Sequence, residues 1–179
     1  SSGDIEASMI PYILSENVYK NDGIPTKNFI VSNSPYEYPY VNYGFQILAP
    51  SMRKKAPYRV TKENAIAVLK DRARVNTTLS SDSNFLEFIN ALLGDHDRNI
   101  PSLSGVGIAT ILKMIGTAIE HGIITQTTKD IEMLKMVIKE DYREVFECNY
   151  HCTSICHQYK DIEPLDIHKI TSQLVDNYD

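Results

Sequence analysis

The sequence predicts an α/β chain: a small sheet flanked by helices, then a helical half built around a helix-turn-helix. Three observations carry this. Residues 28–32, around Phe29-Ile30-Val31, form a short apolar run with the character of a buried strand. Residues 45–49 and 57–61 flank the basic stretch Arg53-Lys54-Lys55 and read as the two strands of a hairpin. Between residues 91 and 116 an apolar helix end, a Gly-Asp turn, an Asn-Ile-Pro break and a Gly-x-Gly turn lead into a second helix.

The elements follow in order. A helix is expected over about 4–20, with Asp4 as its N-cap and Pro11 kinking its middle. The strand at 28–32 is followed by Ser34-Pro35-Tyr36-Glu37-Tyr38-Pro39-Tyr40-Val41-Asn42-Tyr43, four tyrosines and two prolines in ten residues. Tyrosine rings there either fill core space or stand ready for bases or a partner protein. After the hairpin, Thr61 is placed to cap a helix over about 62–73, and the polar loop 76–83 leads into a helix over about 84–93. The next helix runs over about 107–120 and stops near Gly122. Thr128 is expected to cap a helix over about 129–140, extending toward 147, with Ile131 to Ile138 as its core face. Leu165 to Tyr178 reads as a last amphipathic helix. This divides the chain into an α/β part, 1–90, and a helical part, 91–179.

The turn at Gly105-Val106-Gly107 is the most informative feature. A glycine turn at a helix N-terminus leaves backbone N–H groups facing outward, where the helix dipole favours an anion. With no Cβ in the way, a nucleic-acid backbone can approach closely. Such a turn grips duplex DNA through phosphate and reads no sequence.

The run Gly94-Asp95-His96-Asp97-Arg98-Asn99-Ile100-Pro101, followed by Gly105-Val106-Gly107 and Thr110, resembles the 5′-nuclease family of flap endonucleases and 5′–3′ exonucleases. That family's pattern is Gly-Asp-x-x-Asp-Asn-Ile-Pro-Gly-Val-x-Gly-Ile-Gly-x-Lys-Thr-Ala. Here Arg98 replaces its second Asp and Ala109 its Lys, with Lys113 one turn on. Upstream, Glu6-Ala7-Ser8-Met9 stands where the family has Glu-Ala-Asp-Asp. Phe29-Ile30-Val31-Ser32-Asn33-Ser34-Pro35-Tyr36 stands where it has a strand ending Ile-Val-Ser-Gly-Asp-x-Asp. The resemblance covers residues 4–120, is closest to the phage RNase H branch, and extends loosely to the C-terminal helices. It implies a partial parallel sheet of 5′-nuclease (PIN-like) type, followed by a helix-hairpin-helix DNA clamp.

The same resemblance implies a damaged catalytic centre. The family's cleavage needs clustered carboxylates that hold two divalent metals, and magnesium demands charged oxygen ligands. Ser8, Met9, Ser34 and Tyr36 occupy four of those Asp positions, which leaves Glu6 and Asp95, with Asp97 nearby, as metal ligands. Magnesium is therefore expected to bind weakly. His96 is expected to be a turn residue. The family's first strand and basic arch have no counterpart before Ser1. Either the chain is a fragment, or a separate polypeptide supplies that half, or the protein does without it. The clamp turn of family members holds a monovalent cation, and Gly105 to Gly107 would be its place here.

Charge works against indiscriminate nucleic-acid binding, because the net charge is −5. DNA contacts would come from local patches: Arg53, Lys54 and Lys55 in the hairpin turn, with Lys62, Lys70, Arg72 and Arg74 along the next helix. The alternative is a solvated turn and an exposed helix face. Three cysteines argue against a disulfide framework and for a reducing compartment, the cytoplasm of a cell or of a phage host. Cys148, Cys152 and Cys156, with His151 and His157, sit at helical spacing. They lack the second, distant pair of a structural zinc site, so reduced cysteines packed partly in the core are expected rather than zinc. No stretch has the length of a membrane span, and neither a P-loop nor a nucleophile elbow is present.

Three functional expectations follow. The first is a catalytically degenerate relative of these nucleases that binds duplex or branched DNA in replication or repair, alongside replication proteins. The second is an active magnesium-dependent 5′ nuclease, its acids completed by a missing first half or by Asp97 and Glu37. The third is a protein-interaction module that meets its partner through the tyrosine-rich segment.

Overall fold

A computed structural model describes residues 28–50, 56–80, 83–96, 99–103 and 105–155. The expected helices at 4–20 and 165–178, the basic turn Arg53, Lys54 and Lys55, and Glu6, Asp97 and Cys156 lie outside the described residues.

The chain is mixed α/β, with a small sheet packed against helices. Three strands, β1 (Asn28–Val31), β2 (Phe45–Ala49) and β3 (Tyr58–Val60), form a sheet in sequence order. β1 and β2 are parallel with Ile30 opposite Ile47, and β2 and β3 are antiparallel with Ile47 opposite Val60. Ile30, Ile47 and Val60 therefore form one row on the face that meets the helices, because side chains alternate along a strand. The expected buried strand is corrected here. Among the described residues β1 is covered on one face, and Phe29 is 43% and Val31 71% exposed on the other.

The tyrosine-rich segment forms the crossover between the parallel strands, a 3-10 helix at Pro35–Tyr43. Ser34 Oγ accepts the Tyr36 N–H at 3.2 Å, and Pro35 follows it without a donor to satisfy. Gly44, at φ +84°, ends the helix. Tyr38, Tyr40 and Val41 are buried, and Tyr40 packs edge-on to Phe45 with centroids 6.2 Å apart. For Tyr38 and Tyr40, core filling is the observed role.

Helix α1 (Ala65–Ala73) begins later than expected, and Thr61 is not its cap. Asn64 holds the N-cap position, and its Oδ1 turns back to accept the Thr61 N–H at 2.7 Å. The Thr61 carbonyl takes the N–H groups of Asn64 and Ala65 in that turn. A short 3-10 turn at Ser83–Phe85 then leads into α2 (Leu86–Leu93), and α3 spans Ile108–Glu120. Leu86, Phe88, Ile89 and Leu92 of α2 are all buried. Each such side chain contributes about 1.5–3 kcal/mol of apolar burial.

The expected long helix from 129 is two helices. α4 covers only Ile131–Lys135, capped by Asp130, whose carboxylate accepts the Glu132 N–H at 2.9 Å. Thr128 instead closes the preceding turn by accepting the Thr125 N–H at 2.9 Å. Lys139 is extended, a 3-10 turn occupies Glu140–Tyr142, and α5 runs Arg143–Thr153. The break lets α5 lie along α2, where Phe146 meets Phe88 edge-on at 5.2 Å. Lys135 ties α4 to α5 by pairing with Glu132 at 2.8 Å and Glu147 at 2.9 Å. Met133 and Met136 are exposed, so the core face expected there is Leu134 and Ile138, with Ile131 and Val137 partly buried against the core. One cluster of buried side chains runs from Tyr38 to Ile155 and includes residues on both sides of position 90. Among the described residues no helix is long and apolar enough to cross a membrane.

Candidate nucleic-acid interface

The segment between α2 and α3 is built from strained and tightly bonded residues. Gly94 ends α2 at φ +66° with ψ −173°, a conformation open essentially to glycine alone. A Cβ there would stand 2.5 Å from the carbonyl oxygen of Ile100. Asp95 and Ile100 exchange two backbone hydrogen bonds, at 2.9 and 2.8 Å, with Asn99 at φ +57° inside the turn. His96 belongs to that turn, its carbonyl accepting the Asn99 N–H. Leu103 is buried and donates its N–H to the Leu92 carbonyl at 3.1 Å, which pulls the segment back onto α2.

The chain then rises to the surface at Gly105, Val106 and Gly107. Val106 packs its side chain against the core while both glycines are exposed. A Cβ on either glycine would meet nothing within 4 Å. Gly105 holds φ +74°, and Gly107 is the extended N-cap of α3 with no side-chain cap on the first turn. The amides of that turn therefore face out with the positive end of the helix dipole. Ile111, Leu112, Ile115 and Ala118 point into the core, which leaves Thr110, Lys113 and Thr117 as an exposed stripe along α3. Gly105, Val106, Gly107, Thr110 and Lys113 are thus brought to one turn and the helix it opens.

The acidic positions fare differently. Asp95 is only 8% exposed and lines a cavity of about 20 Å³ with Tyr36, Tyr40, Asn90 and Ile155. That is room for about one water molecule. It joins two positions that the resemblance assigns to metal ligands, Tyr36 and Asp95, yet among the described residues it offers one carboxylate beside phenol, hydroxyl, amide and apolar groups. This donor set does not fit magnesium, which needs several charged or water oxygens in an octahedron. Asn90, whose Nδ2 donates to the Tyr36 carbonyl at 3.0 Å, fixes the tyrosine loop against α2 beside it.

The basic helix face is not wholly solvated, because two of its cations bond within the fold. Lys70 donates its ammonium to the carbonyls of Thr77 and Leu79, clasping the polar loop. Arg72 Nη1 donates to the Asn33 carbonyl at 3.0 Å, to Tyr38 Oη at 3.0 Å and to Tyr58 Oη at 3.4 Å. Burial and the Tyr58 hydrogen bond push Tyr38 up to about 12, against the opposing pull of Arg72. Lys62 and Arg74 are exposed. The cysteines also depart from expectation. Cys148 and Cys152 are exposed on the outer face of α5, because Phe146 and Asn149 take the inner one.

Two features escaped the sequence reading. Asn149 is 3% exposed and bonds the segment after α2, a role signalled only by a polar residue among the core positions of an apolar helix face. A cavity of about 660 Å³ opens beside Asn33 and Pro50, the residues just past the carboxyl ends of β1 and β2. Its side chains come from β3 and α1, and their common location appears only once the strands are paired. No family model, no curated protein and no solved structure matches this chain.

Proposed function

We propose that this chain binds duplex or branched DNA through its phosphate backbone as a catalytically degenerate relative of the 5′ nucleases. The α2–α3 segment acts as the helix-hairpin-helix clamp. The observation that carries this reading is the exposed Gly105-Val106-Gly107 turn, with open space at both glycines and an uncapped first turn on α3. Thr110 and Lys113 extend the surface along α3 with a hydroxyl and a cation. The degenerate part of the reading rests on Ser34 and Tyr36, a hydroxyl and a phenol at two positions where the resemblance calls for carboxylates.

Binding of a labelled 5′-flap duplex, with and without magnesium and across a salt series, tests this. Affinity is expected to fall as salt rises, and the duplex to remain intact with magnesium present. Lys113→Ala should reduce the log–log salt slope by about 1, as loss of one phosphate contact does. Gly107→Asp places a carboxylate where phosphate would sit, in an extended N-cap conformation that suits Asp. It should weaken binding by about tenfold or more while the melting temperature holds or rises. Failure to bind DNA, or binding indifferent to Gly107→Asp, overturns the reading. Magnesium-dependent cleavage overturns its degenerate part.

A further inference from the structure

We infer that the cleft at the carboxyl ends of β1 and β2 binds a small phosphomonoester whose body carries hydroxyl donors and a flat ring, the chemistry of a mononucleotide. Position is the first reason. β1 and β2 are parallel, and open α/β sheets take ligands in the crevice outside the carboxyl ends of such strands. Asn33 and Pro50, which follow those strands, both line the cleft. Its volume of about 660 Å³ is that of a small-ligand site.

The lining is the second reason. Arg59 from β3 and Arg72 from α1 both border the cleft, with Asp71 and Asn64 beside them. Arg72 is already fixed in place by the Asn33 carbonyl and the Tyr38 and Tyr58 hydroxyls, so holding an anion costs little further side-chain freedom. Arg59 is exposed, and among the described residues its guanidinium has no ion pair or hydrogen bond. Two guanidinium groups suit the dianionic, multi-oxygen head of a phosphomonoester. Asp71 has no ion pair to either arginine among the described residues, which leaves its carboxylate to accept from a hydroxyl or amine. Pro50, Ala67 and Val68 supply apolar wall for a ring. None of these residues belongs to the Gly105–Gly107 turn, so this inference stands apart from the DNA reading.

An NMR titration of the full chain with AMP, GMP, adenosine and inorganic phosphate tests it. AMP or GMP should give saturable shifts centred on Arg59, Asn64 and Val68, with adenosine and phosphate each binding at least about tenfold more weakly. Arg59→Ala should weaken AMP by about tenfold or more, the loss of one charge-assisted contact, at an unchanged melting temperature. Gly107→Asp should leave AMP binding intact. The inference is overturned by a lack of saturable shifts with either nucleotide. It is equally overturned by shifts centred elsewhere, by phosphate binding as tightly as AMP, or by an Arg59→Ala chain that binds AMP like the parent.

Discussion

Asn149 Nδ2 donates to the Pro101 carbonyl at 2.7 Å and, with its other hydrogen, to the Ala91 carbonyl at 2.9 Å. One buried amide on α5 thus joins the last turn of α2 to the segment that leads into α3. Asn149→Leu keeps the shape and removes both donors. Two shielded carbonyls would lose their partners, at a cost of about 2–3 kcal/mol. Chemical denaturation should show that loss. A DNA affinity that falls alongside it would tie the clamp geometry to this amide, whereas a stability within 0.5 kcal/mol of the parent, about the noise of a neutral surface change, would mean the bonds carry no net weight.

The glycines around the clamp are expected to behave in three ways. Gly94→Ala forces a side chain into a glycine-only conformation and onto the backbone of Ile100 and Pro101. About 3 kcal/mol or more should be lost. Gly105→Ala meets open space, so only its φ of +74° resists, at about 1–2 kcal/mol. Gly107→Ala has neither obstacle and loses only the N-cap preference for glycine over alanine, so it should cost less than about 1 kcal/mol. Melting curves of the three variants check the ranking, and equal losses at Gly94 and Gly107 would contradict the turn geometry.

Tyr38 gives a signature in alkaline solution. Its folded value is raised to about 12 from an ordinary 10.0, first by burial and then by the Tyr58 hydroxyl. Between those values the unfolded chain has released the proton while the folded chain retains it, so stability falls as pH rises through the interval. Below pH 10 the contribution is constant. Tyr38→Phe should cost about 1 kcal/mol near neutrality, through loss of the bonds to Arg72 and Tyr58. It should also flatten the decline between pH 10 and 12. An identical alkaline slope in parent and variant would exclude Tyr38 as its source.

The strands, α2, α3 and the glycine turn were legible because each is written locally, by an apolar run, a period or a glycine. What failed depended on partners distant in sequence. Phe29 and Val31 read as core, yet among the described residues no element packs on their face of the sheet, which apolar spacing alone does not reveal. Lys70 and Arg72 read as a cationic face, yet their partners are carbonyls and hydroxyls from loops and strands elsewhere in the fold. The helix from 129 read as continuous because apolar spacing alone does not reveal that α5 must turn to reach Phe88. The cleft was invisible for the same reason, since Asn33, Arg59 and Asp71 meet only through strand pairing and the placement of α1.

Gly116 separates helix propensity from packing. An exposed helical glycine usually gains about 1 kcal/mol on replacement by alanine. Gly116 is buried, and an added Cβ would collide with Thr77 Oγ1. That hydroxyl donates to the Leu112 carbonyl at 3.3 Å and accepts the Leu79 N–H at 3.3 Å, so it pins the polar loop to α3. The neighbouring Thr78 hydroxyl donates to the Gly116 carbonyl at 3.5 Å and limits any retreat of the loop. Gly116→Ala should therefore destabilise by about 1–3 kcal/mol despite the better propensity. Thr77→Ala alone should cost about 1 kcal/mol through its lost hydrogen bonds. In the double variant the collision is largely gone, because the nearest remaining atoms are a Cβ at 3.3 Å and the Thr78 Oγ1 at 3.4 Å. Its cost should fall below the sum of the single costs by about 1 kcal/mol or more, the coupling expected of residues in contact. Additive losses would place the two residues apart and refute the packing of the loop on α3.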